Sequence, residues 1–539
     1  MPHLKDITEH SSTRRSFFKL AGSVSAATAF AASISACGSG SKGSSATKAD
    51  GAKAGEINKD GTITAGIAYD ISTTFAPSQA SGAGPLAANL HIFEGLYGLD
   101  PASRKRYNAL ATADPEKIDD TTYRVTLREG AKFHNGDPVK ASDVVYTYGK
   151  FTDKSSLFAQ FLYFIDSVNA VDDSTVEFKF NQPFSLFADR ISLMQIMPES
   201  AEKDFEAFGA HPIGSGPYKF VSATKGDHIE FARFDEYNGP RPALAKAMNW
   251  SILSDAAARV TAIQSKRVQA VESVPYDNIS VLENTSGLSV ESVQSFGLLF
   301  MMFNCEKEPF NKVEVRQALF YALDMDKVIK TALLGNAEPA TSFLQKSHPD
   351  YVEASTVYTH DADKAKKLLK DAGVEDLTLT VRSTDHDWVV SCVQLIQESL
   401  KEAGIKVTIE PTPSSSLYSD YVDTGNFDVL IAPGDPSVFG NDVDLLLSWW
   451  YRGDTWPTNR FRWSGTEQYK QLQEYMNAAT TSSDPKTEWK KAIDLLSDNV
   501  PLYPLFHRKL PTAWDSETLV DFKPLPTTGI SMLGVGTTK

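Results

Sequence analysis

The run LTLTV (377–381), VVSCVQLIQESLKEA (389–403), KVTIE (406–410) and FDVLI (427–431) decides the fold class. The first, third and fourth pieces alternate or cluster β-branched and apolar residues, as strands do. The second repeats apolar residues at helical spacing. Strands separated by an amphipathic helix predict an α/β lobe, with helices packed on a sheet. Upstream, VEVRQALFYA (313–322) and DADKAKKLLKDA (361–372) add helices, the first capped by Asn311.

Outward towards the amino terminus, TITAGIA (62–68) reads as a half-buried strand and 86–96 as a helix. Between 100 and 208, strand patterns (122–127, 175–180) mix with helical ones (141–151, 185–194). From 212 to 293 the pattern gives turns, a hairpin-like pair and a helix over 255–264. Pro and Thr crowd the last stretch, 502–539, which reads as irregular return strands. Two α/β lobes joined by chain crossings put a binding site in the crevice between them, an arrangement many enzymes share.

The amino terminus carries TRRSFFK (13–19), a weakly apolar run, and ISAC (34–37). Basic, apolar and small-residue regions in that order make an export signal. The arginine pair fits a twin-arginine route, although such pairs also occur in ordinary signals. The small residues before Cys37 resemble a bacterial lipobox, which makes Cys37 the lipidated first residue of an extracytoplasmic, membrane-anchored chain. A transmembrane reading fits less well, since a span needs about 20 mostly apolar residues. GSGSKGSS (38–45) and the Ala/Lys/Gly run after it cannot bury a core and read as a tether.

The 539 residues exceed what one core serves and suit two or three domains. Formal net charge is −15, which argues against nucleic acid and polyanionic partners. Apart from Cys37, only Cys305 and Cys392 are present. One disulfide is possible between them, and two buried free thiols fit better. Scattered histidines, with no CxxC or HExxH, predict no metal or cofactor. No Ser/His/Asp or paired-carboxylate spacing points to catalysis, so no catalytic residue is assigned.

Several segments resemble the large peptide- and nickel-type (family 5) solute-binding proteins of ABC importers. DDTTYRVTLREGAKFHNGDPVKASDV (119–144) resembles the family's longest signature: a strand, a Gly turn, a second turn on Asn135-Gly136, and a helix capped by Ser142 or by the 140–141 backbone. His134 belongs there to a structural turn rather than to chemistry. PIGSGPY (212–218) resembles the family's glycine-rich turn and lacks the Lys-Ser/Thr of a phosphate loop. FN (303–304), PF (309–310) and VEVRQA (313–318) resemble the opening of its second lobe. DADKAKKLLKDAG (361–373) and LKEAGIKV (400–407) resemble its glycine-ended helices.

This resemblance implies a two-lobed periplasmic-binding-protein-like clamshell with an extra subdomain on the first lobe. Residues 1–36 are then the export signal, 37–56 the tether, and 57–99 with 209–295 and 507–539 the first lobe. Residues 100–208 form the extra subdomain and 296–506 the second lobe. The implied protein is a monomeric receptor, not an enzyme, that closes on a solute and docks on permease subunits.

For the ligand, FDVLIAPGDPSVF (427–439) matches the family's strand and Asp-containing loop, yet Ala432 stands where peptide binders carry the aspartate that holds a peptide's amino terminus. Asp435 either substitutes or is a turn residue. Next, LSWWYRGDTW (447–456) and RFRW (460–463) hold four of the eight tryptophans. Trp449, Trp450, Tyr451, Trp456 and Arg460 are therefore candidate ligand contacts, with some rings expected in the core. Leu430 and Ala432 offer backbone beside which a peptide adds as a strand. Gln79 and Ser81 in FAPSQAS (75–81), and Phe296, complete the candidates. Oligopeptides are the first expectation. An oligosaccharide, motivated by Ala432 and the tryptophans, is the second, and an extracytoplasmic hydrolase or sensory lipoprotein the third.

Overall fold

The structure is a computed structural model that describes residues 56–153 and 156–538. The export signal, Cys37 and the tether lie outside the described residues.

Two long strands, Leu288–Phe303 and Leu502–Asp515, pair antiparallel and form the spine. On one side, Val429–Gly434 joins Leu288–Phe303, followed by Thr378–Thr384 and Lys406–Thr412, the last three mutually parallel. On the other, Leu502–Asp515 meets Ala270–Val271, then Thr62–Ile67 and Ala247–Ile252, again a parallel group. The antiparallel hairpin His228–Arg233 and Tyr218–Thr224 ends that side. Helices cover both groups, among them Asp387–Glu402 on the first and Ala256–Gln264 on the second. A separate four-stranded antiparallel sheet runs Glu116–Lys117, Thr122–Thr126, Thr175–Phe180, Ile165–Ala170, with helix Ala141–Thr152 against it.

The carboxyl-terminal stretch corrects the sequence reading. Leu502–Asp515 is a continuous central strand rather than irregular chain, despite Pro504 and Pro511. Proline lacks a donor and is tolerated only where one edge has no ladder. The second edge of this strand is covered only at 506–508 by Ala337–Pro339 and at 513–514 by Ala270–Val271, so both prolines fall in the gaps.

Helix starts are corrected too. Ser142 does not cap helix Ala141–Thr152; Asp143 does, reaching back to Lys140 N at 2.8 Å while its other oxygen accepts from Glu199 N at 2.8 Å. Lys312, not Asn311, precedes Val313–Tyr321, and no side chain caps it. The pattern at 185–194 yields only the short helix Phe187–Arg190 and one tighter turn. Asp361 caps Ala362–Asp371, and Gly373 leaves it at φ +74°, the left-handed exit its sequence predicts.

Replacing Asp143 by Ala strands two part-buried N–H donors. Urea unfolding should show a loss of about 2 kcal/mol, with Asp143→Asn recovering part of it because one oxygen remains. An unchanged midpoint for Asp143→Ala would remove Asp143 as the brace of this helix.

His134 is the clamp of a turn. Its Nδ1 accepts from Gly214 N at 3.3 Å, so Nε2 carries the proton and donates to Gly216 O at 3.0 Å. Burial pushes the imidazole down to about 4, keeping it neutral. A Cβ at Gly214 would sit 2.0 Å from Ile92 O, which explains the glycine. Cys305 and Cys392 are both buried free thiols.

Candidate functional site

The register of the two long strands locates the site. Gln294 pairs with Lys509 and Leu298 with His507, so 295–297 bulge opposite Arg508 alone. Val429–Gly434 ends beside Leu298, and Ala270–Val271 points from 514 towards Arg508. The carboxyl ends of both parallel groups therefore converge on this bulge from opposite sides. In open α/β sheets that is where ligands bind.

Side chains brace the bulge. Ser295 Oγ donates to Arg508 O at 2.7 Å and accepts from Gly297 N at 3.0 Å. His507 Nδ1 bonds Phe296 O at 3.0 Å, and burial lowers its imidazole to about 4. With the backbone held on both sides, Arg508 is aimed rather than free to wander. Its guanidinium lies 4.6 Å from the centre of the Trp388 ring, and the neighbouring Tyr69 and Tyr276 favour its charged form. No carboxylate lies within ion-pair distance of it among the described residues. Two carboxylates stand further off. Glu272 is buried and accepts from Ala68 N at 3.1 Å. Burial pushes its carboxyl upward, against the pull of Arg259 and Arg508. Asp435 follows Gly434, and a Cβ on Gly297 would lie 3.7 Å from both Arg508 Nε and Asp435 Oδ2.

Asp435 and, in the bulge itself, Phe296 are thus the sequence candidates near Arg508. Asp435 Oδ2 accepts from Thr528 N and Thr528 Oγ1, each at 2.8 Å, and its Oδ1 accepts from Ser437 N at 3.2 Å. Gln79 lies elsewhere, exposed over an open groove shared with Thr74 and Phe205. Ser81 donates its N–H to Thr73 Oγ1 at 3.3 Å.

The other candidates are corrected by burial. Leu430 and Ala432 are fully enclosed. The strand that carries them is paired on both edges at 429–431, which leaves no edge for an added peptide strand at Leu430, whereas Ala432 to Gly434 are paired on one edge only. Phe296 is buried against Phe343 and His507. Trp450, Tyr451 and Trp456 are core: Trp450 packs on Phe300, Phe343 and Trp456, and the Tyr451 hydroxyl donates to Leu502 O. Arg460 is occupied by Asp423 at 2.8 Å and lies over the rings of Tyr418 and Trp456. Trp449, stacked on Phe161, and Arg460 are the members of this group that stay partly open.

Sequence reasoning missed Arg508, Trp388, Tyr69, Tyr276 and Glu272. The signal was present at Arg508 and Glu272: each is a charged residue ending or interrupting an apolar strand pattern (LYPLFHR, AVE).

Residues 105–463 match the bacterial extracellular solute-binding proteins, family 5 middle. The chain belongs to that family. Family 5 proteins are the substrate-binding components of ABC importers, and the relatives found are solute receptors. The glutathione-binding protein GsiB of Escherichia coli K12 is 27% identical over 485 residues, covering 88% of this chain and 93% of that one. The dipeptide-binding protein of Pseudoalteromonas sp. SM9913, solved with Met-Leu, superposes with a TM-score of 0.78 at 19% identity, covering 88% of this chain and 100% of that one. AppA of Bacillus subtilis, solved with a nonapeptide, gives 0.75 at 20%, covering 90% and 100%. The fold is accordingly the two-lobed clamshell, and no helix among the described residues is long and apolar enough to cross a membrane.

In this family 5 protein the region 100–208 is locked onto the chain after Gly434. Arg190 is fully buried and donates to Asp442 Oδ1 at 2.6 Å, Asp442 Oδ2 at 3.2 Å and Asp444 Oδ2 at 2.8 Å. Asp444 also takes Arg452 Nη2 at 3.1 Å, and Arg452 lies 4.3 Å from the ring centre of Tyr163. Beside this ionic cluster, Phe158 packs edge-on to Phe439 at 5.4 Å. These contacts join the region 100–208 directly to the segment 439–452.

Proposed function

We propose that this receptor captures short peptides between its lobes and delivers them to a permease. The observation that carries the reading is Arg508, a guanidinium at the convergence of both strand groups with an aromatic ring on its face and no ion-pair partner. A peptide carboxylate supplies that partner through two parallel hydrogen bonds. Asp435 and Glu272, set back from Arg508, give the opposite charge that a peptide's ammonium needs. The named ligands of the relatives (glutathione, Met-Leu, a nonapeptide) agree in chemistry, and burial of Trp450 and Trp456 removes the stacking rings that favoured an oligosaccharide.

The rest of the reading follows from this role. Residues 57–99, 209–295 and 507–539 form the first lobe, 100–208 its added subdomain and 296–506 the second lobe. Cys37 anchors the chain by its lipid, residues 37–56 give it reach, and a single copy serves one permease.

Trp388 at the centre supplies the test. Titration of the full chain with di- and tripeptide pools should shift its intrinsic fluorescence, and Trp388→Phe should remove most of the change while binding persists by calorimetry. Peptides that leave both signals flat, with oligosaccharides shifting them, would overturn the peptide reading.

A further inference from the structure

The lobes enclose a second space, of about 110 Å³, next to the crevice. Leu90, Phe158, Leu193 and Leu533 wall it from one side and Phe439 from the other. Thr528, which holds Asp435, also lines it, so the space abuts the Arg508 site. At about 10–15 Å³ per water, it has room for a group of roughly eight heavy atoms. Ser192, Gln195 and Thr527 add polar groups to these apolar walls.

One cation enters this apolar space. Arg104 sits at φ +58°, in the left-handed region that a long side chain occupies only when its surroundings impose it. Asp100 imposes it: its carboxylate takes Ser103 N and Ser103 Oγ at 2.6 Å and Arg241 Nη2 at 2.6 Å, while its carbonyl accepts from Arg104 N at 2.9 Å. The Arg104 Nη2 donates across the lobes to the carbonyls of Ser437 and Gly440. Its Nε is buried without a partner. Burial lowers this guanidinium to about 10, with Asp435 and Asp100 opposing, so it stays charged at neutral pH. Glu94, the carboxylate in the same wall, is already engaged by Arg128 at 3.0 Å and the Tyr237 hydroxyl at 2.9 Å. Arg104 is therefore a cation on the wall of this chamber that no carboxylate engages in an ion pair among the described residues.

We propose that this chamber is a specificity pocket for a carboxylate carried on a short apolar stem, an acidic side chain of the captured peptide, recognised by Arg104. The assignment rests on the peptide reading above. The Arg104 guanidinium gains a carboxylate counter-charge, and the apolar stem packs on the Leu90, Phe158 and Leu193 side chains. Phe439 belongs to the second lobe and Arg104 to the region before it, so the seated group touches both and favours closure by those differential contacts.

The test uses the full chain and trialanine peptides bearing one Glu, or its isostere Gln, at each position in turn. The expected result is that one position prefers Glu over Gln by tenfold or more. Arg104→Met should erase that preference, weakening the Glu peptide by at least tenfold more than the Gln peptide, since both also lose its cross-lobe hydrogen bonds. Equal affinities for the Glu and Gln peptides at every position in the unmodified chain would overturn the pocket and leave the peptide reading standing. Equal weakening of both peptides by Arg104→Met would also overturn it, making Arg104 a brace between lobes. If no peptide binds while oligosaccharides do, the peptide reading falls and the pocket with it.

Discussion

Arg190→Gln should hold the clamshell open and cut ligand affinity by two orders of magnitude or more. Arg190, Asp442, Asp444 and Arg452 form a buried group of two cations and two anions. Removing one cation leaves a net negative charge with no water to solvate it, which costs about 3–5 kcal/mol. The lobes have a way out that a core lacks: separation wets both carboxylates without unfolding either lobe. The penalty therefore falls on the closed state, and apparent affinity drops by the fraction still closed. Small-angle scattering of the ligand-free variant should give a larger radius of gyration than the parent. An unchanged radius together with unchanged affinity would exclude the cluster as a latch.

The same cluster sets a pH dependence. Burial pushes the Asp444 carboxyl up, but Arg452 and Arg190 more than offset this, and the net direction is downward. A depressed carboxyl stabilises the closed form above its ordinary pKa, near 3.9. That stabilisation disappears as pH falls through the depressed value. Acid should open the unmodified chain only below about pH 4, and release of ligand should follow the same curve.

What the sequence disclosed and what it hid differ for physical reasons. Strands 377–381 and 406–410 and the helix between them were legible because each buries one face, and burial writes a period. The helix Val443–Tyr451 buries nearly every side, so no period separates Trp450, which is core, from Trp449, which faces Phe161. Aromatic density alone then suggested a ligand platform that packing does not provide. Leu502–Asp515 was hidden by its prolines, whose tolerance depends on which neighbours leave an edge uncovered, a fact of topology. Arg508 was hidden with it. Its role arises from a bulge opposite and from Trp388, Tyr69 and Tyr276, which lie more than a hundred positions away along the chain.

Arg508→Met should weaken peptide binding about 100-fold or more, since a charge-assisted pair of hydrogen bonds disappears from an enclosed site. Its effect on stability should run the other way. In the ligand-free protein the partly buried guanidinium lies on the Trp388 ring with no carboxylate in ion-pair distance, and desolvating a cation without a counter-charge is a cost to the fold. Methionine fills similar volume against Trp388 without that cost, so urea unfolding should be unchanged or shifted upward. Arg508→Lys should not rescue binding, because an ammonium lacks the planar fork that grips a carboxylate and lies flat on an indole. The opposed signs carry the argument. A residue kept for architecture weakens the fold when removed, whereas one kept for a ligand weakens only the complex. A large fall in stability with affinity preserved would make Arg508 a structural strut and move the centre of recognition away from the bulge.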